Sequence, residues 1–182
     1  MKVGVYVALL RGINLGGKNK VPMKNLTAMF AEAGCSDAKT YIRSGNVVYR
    51  ASEALARRLP DLIAVGIADR LGFRAPVVTR TAAELRGVAR RNPFLRAGAD
   101  VGTLHVAFLA DRPLRASIAA LDVDRSPPDR FAVLGREIYL HCPHGYGRSK
   151  LTNQYFDSKL ATTSTVRNWR TVLRLIEMAR GL

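Results

Sequence analysis

Apolar residues along this chain fall into short runs and helical stripes that alternate in a regular order. Val5 to Leu9 is an unbroken apolar run, as expected of a strand covered on both faces, where alternation with polar residues is lost. A glycine-rich loop follows, and after Pro22 the apolar positions Met23, Leu26, Met29, Phe30 and Ala33 recur at helical spacing up to Gly34. Lys39 to Arg43 and Val47 to Arg50 read as strands around a Ser44-Gly45-Asn46 turn. Ser52 is placed to cap a helix running to Leu71, bent at Pro60, and Phe73 to Thr79 reads as a fourth strand. Thr81-Ala-Ala-Glu84 has the spacing of a capping box and opens a helix that stops near Asn92-Pro93.

From residue 101 the order recurs. Thr103 to Ala110 reads as a strand, Pro113 to Leu121 as a helix, and Phe131 to Leu134 with Glu137 to His141 as a hairpin around Gly135-Arg136. Ser149 is placed to cap a helix through Leu160, Thr162 to Val166 is rich in β-formers, and Asn168 to Arg180 reads as the last helix. Each half therefore follows β-α-β-β-α-β plus one further helix. That order predicts an α+β fold of two ferredoxin-like (βαββαβ) halves, a structural duplication divided into residues 1–92 and 93–182.

Composition adds a charge and removes some classes. With 182 residues the chain can bury one large core or two small ones. No apolar run approaches a membrane span and no leader pattern opens the chain, so a cytoplasmic protein without a membrane partner is expected. Cys35 and Cys142 are the only cysteines, which predicts free thiols. The formal net charge is +15 and the isoelectric point about 10.7, a field that attracts polyanions. The excess is largest towards the start, where residues 1–50 hold 8 basic and 2 acidic side chains. Arginine outnumbers lysine, so genomic base composition is a second source of the same excess.

Four segments carry the candidate chemistry. Around the first loop, Gly12, Gly16 and Gly17 free the backbone, while Arg11, Lys18 and Lys20, with Asn14 between them, offer charge and hydrogen bonds to an anion. The string from Gly12 nearly matches the nucleotide phosphate loop G-x-x-x-x-G-K, but Asn19 stands where a hydroxyl should hold magnesium, and Val21-Pro22 delays the helix. A different anion cradle and a plain connection are the alternatives. Arg43, Ser44 and Asn46 surround the first hairpin turn. Arg148, Ser149 and Lys150, with Asn153 just beyond, form a second basic segment read as a helix start, and Arg167, Asn168 and Arg170 form a third. Positive charge opposes the helix dipole at such a start unless an anion lies there. In the strongest form of this reading Arg11, Lys18, Lys150, Arg167 and Arg170 share one anion site.

Other readings are weaker. His141-Cys142-Pro143-His144 offers too few ligands at poor spacing, so no metal is expected. Tyr41, Tyr49 and Tyr139 on hairpin strands could stack bases but suit core packing better. No paired acids or nucleophile motif identifies catalytic residues, which stay unknown, and no cofactor is expected. Ser44 and Ser149 are explained as a turn and a cap. The expected partner is a phosphate-bearing ligand, nucleic acid or nucleotide first. The alternatives are a small enzyme acting on a phosphorylated or carboxylated metabolite, and an interaction module with no ligand chemistry.

The motifs ALLRGINLGGKNKVPM at 8–23, TYIRSGNVVY at 40–49, GRSKL at 147–151 and TVRNWRT at 165–171 together resemble the bacterial family designated domain of unknown function 1697. The resemblance implies a two-part α+β fold and no particular reaction, cofactor or substrate.

Overall fold

A computed structural model describes residues 3–182. The first half runs β1 (Val3–Leu10), α1 (Met23–Glu32), β2 (Ser36–Tyr41), β3 (Asn46–Ser52), α2 (Glu53–Leu71) and β4 (Val77–Thr81), followed by α3 (Ala82–Arg91) and the single turn α4 (Pro93–Arg96). The second runs β5 (Leu104–Leu109), α5 (Arg115–Ala119), β6 (Arg130–Leu134), β7 (Glu137–His141), α6 (Asn153–Leu160) and β8 (Ser164–Asn168), then α7 (Trp169–Arg180). Two four-stranded antiparallel sheets result, ordered β2-β3-β1-β4 and β6-β7-β5-β8. Both are the split βαβ arrangement of a ferredoxin-like sheet, so the chain is a duplicated α+β fold. Among the described residues no helix is long and apolar enough to cross a membrane.

The repeat extends to single backbone bonds. Leu10 N–H donates to Gly45 O (2.8 Å) in the first half, as Leu109 N–H donates to Arg136 O (2.9 Å) in the second. Arg11 N–H to Pro76 O (2.9 Å) is matched by Ala110 N–H to Thr163 O (2.8 Å).

Each sheet packs one face on its own helices. Ala8, Leu10, Val47, Tyr49 and Ala51 meet Leu26, Phe30, Leu59, Ile63 and Ile67 in one core, and Ala107, Leu109, Ile138 and Leu140 meet Tyr155, Phe156 and Leu160 in the other. Val7, Leu9 and Val48 are equally buried on the opposite face, which explains why β1 shows no alternation.

Compact units form from residues up to Arg86 with Arg174–Leu182, and from Gly87–Leu173. The expected division at residue 92 differs from this by the ends of two helices. The second unit claims the end of α3 through Tyr139, whose hydroxyl donates to Val88 O (3.0 Å), and through Arg91, 3.5 Å from Glu137. The first claims the chain's last residues, where Arg50 donates to Leu182 O (2.7 Å).

Helix starts follow their caps. Ser52 Oγ accepts from Leu55 N–H, and the capping box is reciprocal, with Thr81 N–H donating to Glu84 Oε2 (2.7 Å) and Glu84 N–H to Thr81 Oγ1 (3.0 Å). Several elements differ from the pattern-based expectation. Strand β2 spans Ser36–Tyr41 instead of 39–43, and β8 spans Ser164–Asn168 instead of 162–166. Strand β4 begins at Val77 instead of Phe73, α5 is confined to Arg115–Ala119, and α6 is capped by Thr152 instead of Ser149. Both hydroxyls suit a cap, but Thr152 puts Leu151 just before it and Phe156 at the fourth helical position, so both join the core as a hydrophobic staple.

Candidate functional site

The loop after β1 is a miniature hairpin. Leu15 and Lys18 form an antiparallel bridge, Lys18 N–H donating to Leu15 O (2.9 Å), around Gly16 and Gly17 with φ of 54° and 77°. Two consecutive positive φ values are what a two-residue hairpin turn of the primed type requires, and the glycines supply them. Below the turn Asn14 N–H donates to Asn19 O (3.0 Å) and Asn19 Nδ2 to Gly12 O (2.9 Å). This is why the near match to a phosphate loop is not realised: Lys18 N–H is spent inside the hairpin and α1 starts only at Met23. Residues 15–20 are all exposed, forming a finger.

Asn14 ties the finger to the next loop. Its side chain accepts from Val21 N–H (2.9 Å) and donates to Val21 O (3.0 Å) and to Arg43 O (2.8 Å) in the β2–β3 turn. Asn46, fully buried at the start of β3, donates to Tyr41 O (3.2 Å) and to Ser44 Oγ (2.9 Å), closing that turn from within. Gly45 is required there, since an added Cβ would lie 2.7 Å from Leu10 Cβ and 3.0 Å from Ile13 Cδ1, at φ +78°. All seven candidates of the first half, Arg11, Asn14, Lys18, Lys20, Arg43, Ser44 and Asn46, thus gather at one end of the first sheet. They divide by role: Asn14 and Asn46 are structural braces, whereas Lys18, Lys20 and Arg43 are exposed. No Asp or Glu precedes Glu32 in the sequence, so the finger's own segment carries positive charge alone.

The pattern missed two further residues of this surface. Leu15 is 63% exposed at the fingertip, and Ile42 is 52% exposed in the turn with φ +47°, a conformation that strains a β-branched residue. Leu15 was legible as an apolar residue between glycines and lysines. The backbone at Ile42 left no sequence signal.

Six of the second-half candidates lie at one end of their own sheet, but not the equivalent end, while Asn153 meets Ser164, which pairs with Leu109 at the other end of β5. The loop 142–152 leaves β7, and Asn168 ends β8 opposite His105 near the start of β5, whereas the finger leaves the far end of β1. Tyr146 of this loop stacks on His105, with ring centroids 5.1 Å apart. Several members are occupied by the fold. Ser149 Oγ accepts from Leu151 N–H (3.1 Å), Asn153 Oδ1 lies 3.0 Å from Ser164 Oγ, and Asn168 Oδ1 caps α7 by accepting from Thr171 N–H (2.8 Å).

Two of the expected helix-start positions are corrected. Lys150 precedes α6, and its N–H donates to Ser126 Oγ (3.0 Å). Arg167 lies within β8 because that strand extends to Asn168. It is only 8% exposed and donates to Thr165 Oγ1 (2.8 Å) and Val166 O (2.9 Å), with burial pushing its pKa down to about 10. Of the candidates Arg170 alone stands at a helix start, and Arg148, Lys150 and Arg170 are exposed, as is Arg130 opposite His141 at the same end.

The remaining titratable groups suit the interior. Burial raises the thiols of Cys35 and Cys142 to about 11, leaving both protonated, and among the described residues no group of three or more His, Cys, Asp or Glu could hold a metal. Tyr49 and Tyr139 are fully buried, so neither offers a face to a base.

The sequence profile described as a protein of unknown function, DUF1697, matches residues 3–139. That span includes the first two motifs, 8–23 and 40–49, and ends before 147–151 and 165–171. No curated protein matches the chain. Over 98% of the chain the fold is similar to a solved structure described as a conserved bacterial protein from Streptococcus pneumoniae, covering 99% of that chain at 20% identity and a TM-score of 0.74. With its sequence matched from β1 into β7, the chain belongs to the DUF1697 family of proteins of unknown function.

Proposed function

We propose that the protein binds a phosphate-bearing polymer, nucleic acid before nucleotide, through the finger and the β2–β3 turn. One observation carries this reading: the Asn14 side chain holds both loops at once, through Val21 and Arg43, and the surface so fixed exposes Lys18, Lys20 and Arg43. Cations on a braced surface lose less conformational freedom on binding than cations on a mobile loop. The net charge of +15 adds a long-range attraction to any polyanion.

Shape favours a polymer over a small metabolite. A small ligand is held in a concave site that covers most of it, whereas residues 15–20 stand exposed. Two shallow depressions, one lined by Arg58, Asp61, Leu62 and Val65 and the other by Phe94, Val123, Arg130 and Phe131 among others, contain none of these loop cations. The buried, protonated cysteines suit a reducing compartment, in keeping with a cytoplasmic site of action.

The test is titration of labelled duplex, single-stranded oligonucleotide and nucleoside triphosphate across a range of salt. Oligonucleotide binding should weaken linearly in log–log form, and Lys18→Ala or Arg43→Ala should each lower the slope by roughly 0.7 to 0.9. Arg90→Ala, at an exposed site on α3, should leave the slope unchanged. Equal behaviour of the three variants, or saturable binding of the triphosphate alone, would overturn the reading.

A further inference from the structure

We propose that the polymer is double-stranded and that Leu15 acts as an apolar wedge, entering a base step while Lys18 engages the flanking phosphate. The inference rests on the binding surface proposed above and adds the class of partner and the way it is engaged. Single exposed apolar residues are ordinary on protein surfaces, so exposure alone carries nothing. Leu15 differs from such residues in its placement. Leu15 and Lys18 are directly opposed across the two-residue turn, which puts one apolar and one cationic side chain side by side at the fingertip, the pairing that a base step bounded by phosphates presents.

The tip is also slim and stiff. Gly16 and Gly17 carry no side chains, and nothing lies within 4 Å of where their Cβ atoms would stand, so the tip can approach a duplex closely. Unstacking a base step costs a few kcal/mol, and a loose loop would bend away instead of opening it. This finger is held by Lys18 N–H to Leu15 O, Asn14 N–H to Asn19 O, Asn19 Nδ2 to Gly12 O and both Asn14–Val21 bonds. A two-stranded ribbon is narrow enough to enter a groove. Ile42, exposed in the turn braced by Asn14, gives the same surface a second apolar contact for the sugar edge. The other taker for apolar tips beside lysines is an anionic bilayer, but two side chains are a small anchor compared with the apolar helix face that holds a protein in an interface.

The experiment uses the whole chain and a set of DNA duplexes carrying 2-aminopurine at successive steps, with fluorescence reporting unstacking and gel mobility reporting bending. Wild type should raise the fluorescence. Leu15→Ser, at an exposed site that leaves the core intact, should abolish the rise and weaken binding about tenfold with the salt slope unchanged, because no charge is removed. Leu15→Phe should restore the rise. Binding without a rise, or a rise that survives Leu15→Ser, overturns the wedge and leaves the binding surface standing. Failure to bind any nucleic acid overturns both. Leu15-dependent binding to phosphatidylserine vesicles with none to duplex assigns the tip to a lipid surface and overturns the wedge.

Discussion

Arg80 and Arg167 occupy the same place in the two repeats. Each is the fourth residue of a five-residue edge strand, beside Val7 of β1 and Val106 of β5 respectively. Each is buried, at 1% and 8% exposure, and each donates to the carbonyl before it, Thr79 O at 2.8 Å and Val166 O at 2.9 Å. The next residue, Thr81 or Asn168, caps the following helix. Thr79-Arg80-Thr81 and Val166-Arg167-Asn168 are thus a repeat whose members share geometry and little sequence. Arg167 belongs to this framework.

Removing either arginine should unfold the protein more readily. Arg80→Ala and Arg167→Ala leave the acceptors of their hydrogen bonds without a donor and open space in the sheet, and each should cost about 2 kcal/mol or more. Lysine should rescue little, since it lacks the planar set of donors. Urea midpoints would check this, and a loss below 1 kcal/mol at both sites would contradict it.

Two buried tyrosines should respond oppositely to loss of the hydroxyl. Among the described residues Tyr49 Oη has no hydrogen-bond partner, whereas Tyr139 Oη donates to Val88 O. Tyr49→Phe should therefore be neutral or stabilising by up to about 1 kcal/mol, and Tyr139→Phe should cost about 1 to 2 kcal/mol.

The same pair sets an alkaline limit. Burial, first among the causes, raises both phenols above their ordinary value of 10.0, Tyr139 to about 12. A raised folded pKa means that the stability is complete below pH 10 and is lost as pH rises through the folded pKa, because the unfolded chain gives up its proton first. Burial of Arg167, with its pKa lowered to about 10, works in the opposite direction above that pH. Tyr49→Phe should hence flatten the fall in thermal midpoint between pH 9 and 11, and an unchanged profile would count against it.

Finger rigidity should depend on Asn14 more than on its neighbours. Asn14→Gly keeps the left-handed backbone, φ +54°, but removes every side-chain bond. Amide exchange at Val21 should speed up, with a global cost of about 1 to 3 kcal/mol. Retained protection at Val21 would refute the brace.

Two glycines with positive φ should differ sharply. Gly16→Ala should cost only the backbone penalty of about 1 to 2 kcal/mol, as its surroundings are open. Gly45→Ala adds a clash with Leu10 and Ile13 and should cost visibly more, by about 1 to 3 kcal/mol. Denaturant titration of both variants decides the order.

What the sequence determined was whatever depends on neighbours along the chain. Apolar period, the Ser52 cap, the Thr81–Glu84 box and the Ser44-Gly45-Asn46 turn are local in cause, and from them came the element order and hence the duplicated sheet. Only the tertiary structure decided the rest, because its causes join residues far apart in sequence. Strand pairing carried β8 on to Asn168 and so buried Arg167, core packing chose Thr152 over Ser149 as a cap, and an Asn14–Arg43 bond spanning 29 positions turned two loops into one surface. A glycine pair beside lysines reads alike as a phosphate cradle or as a hairpin tip. What separates them is where each backbone N–H finds its acceptor, and that is settled by folding.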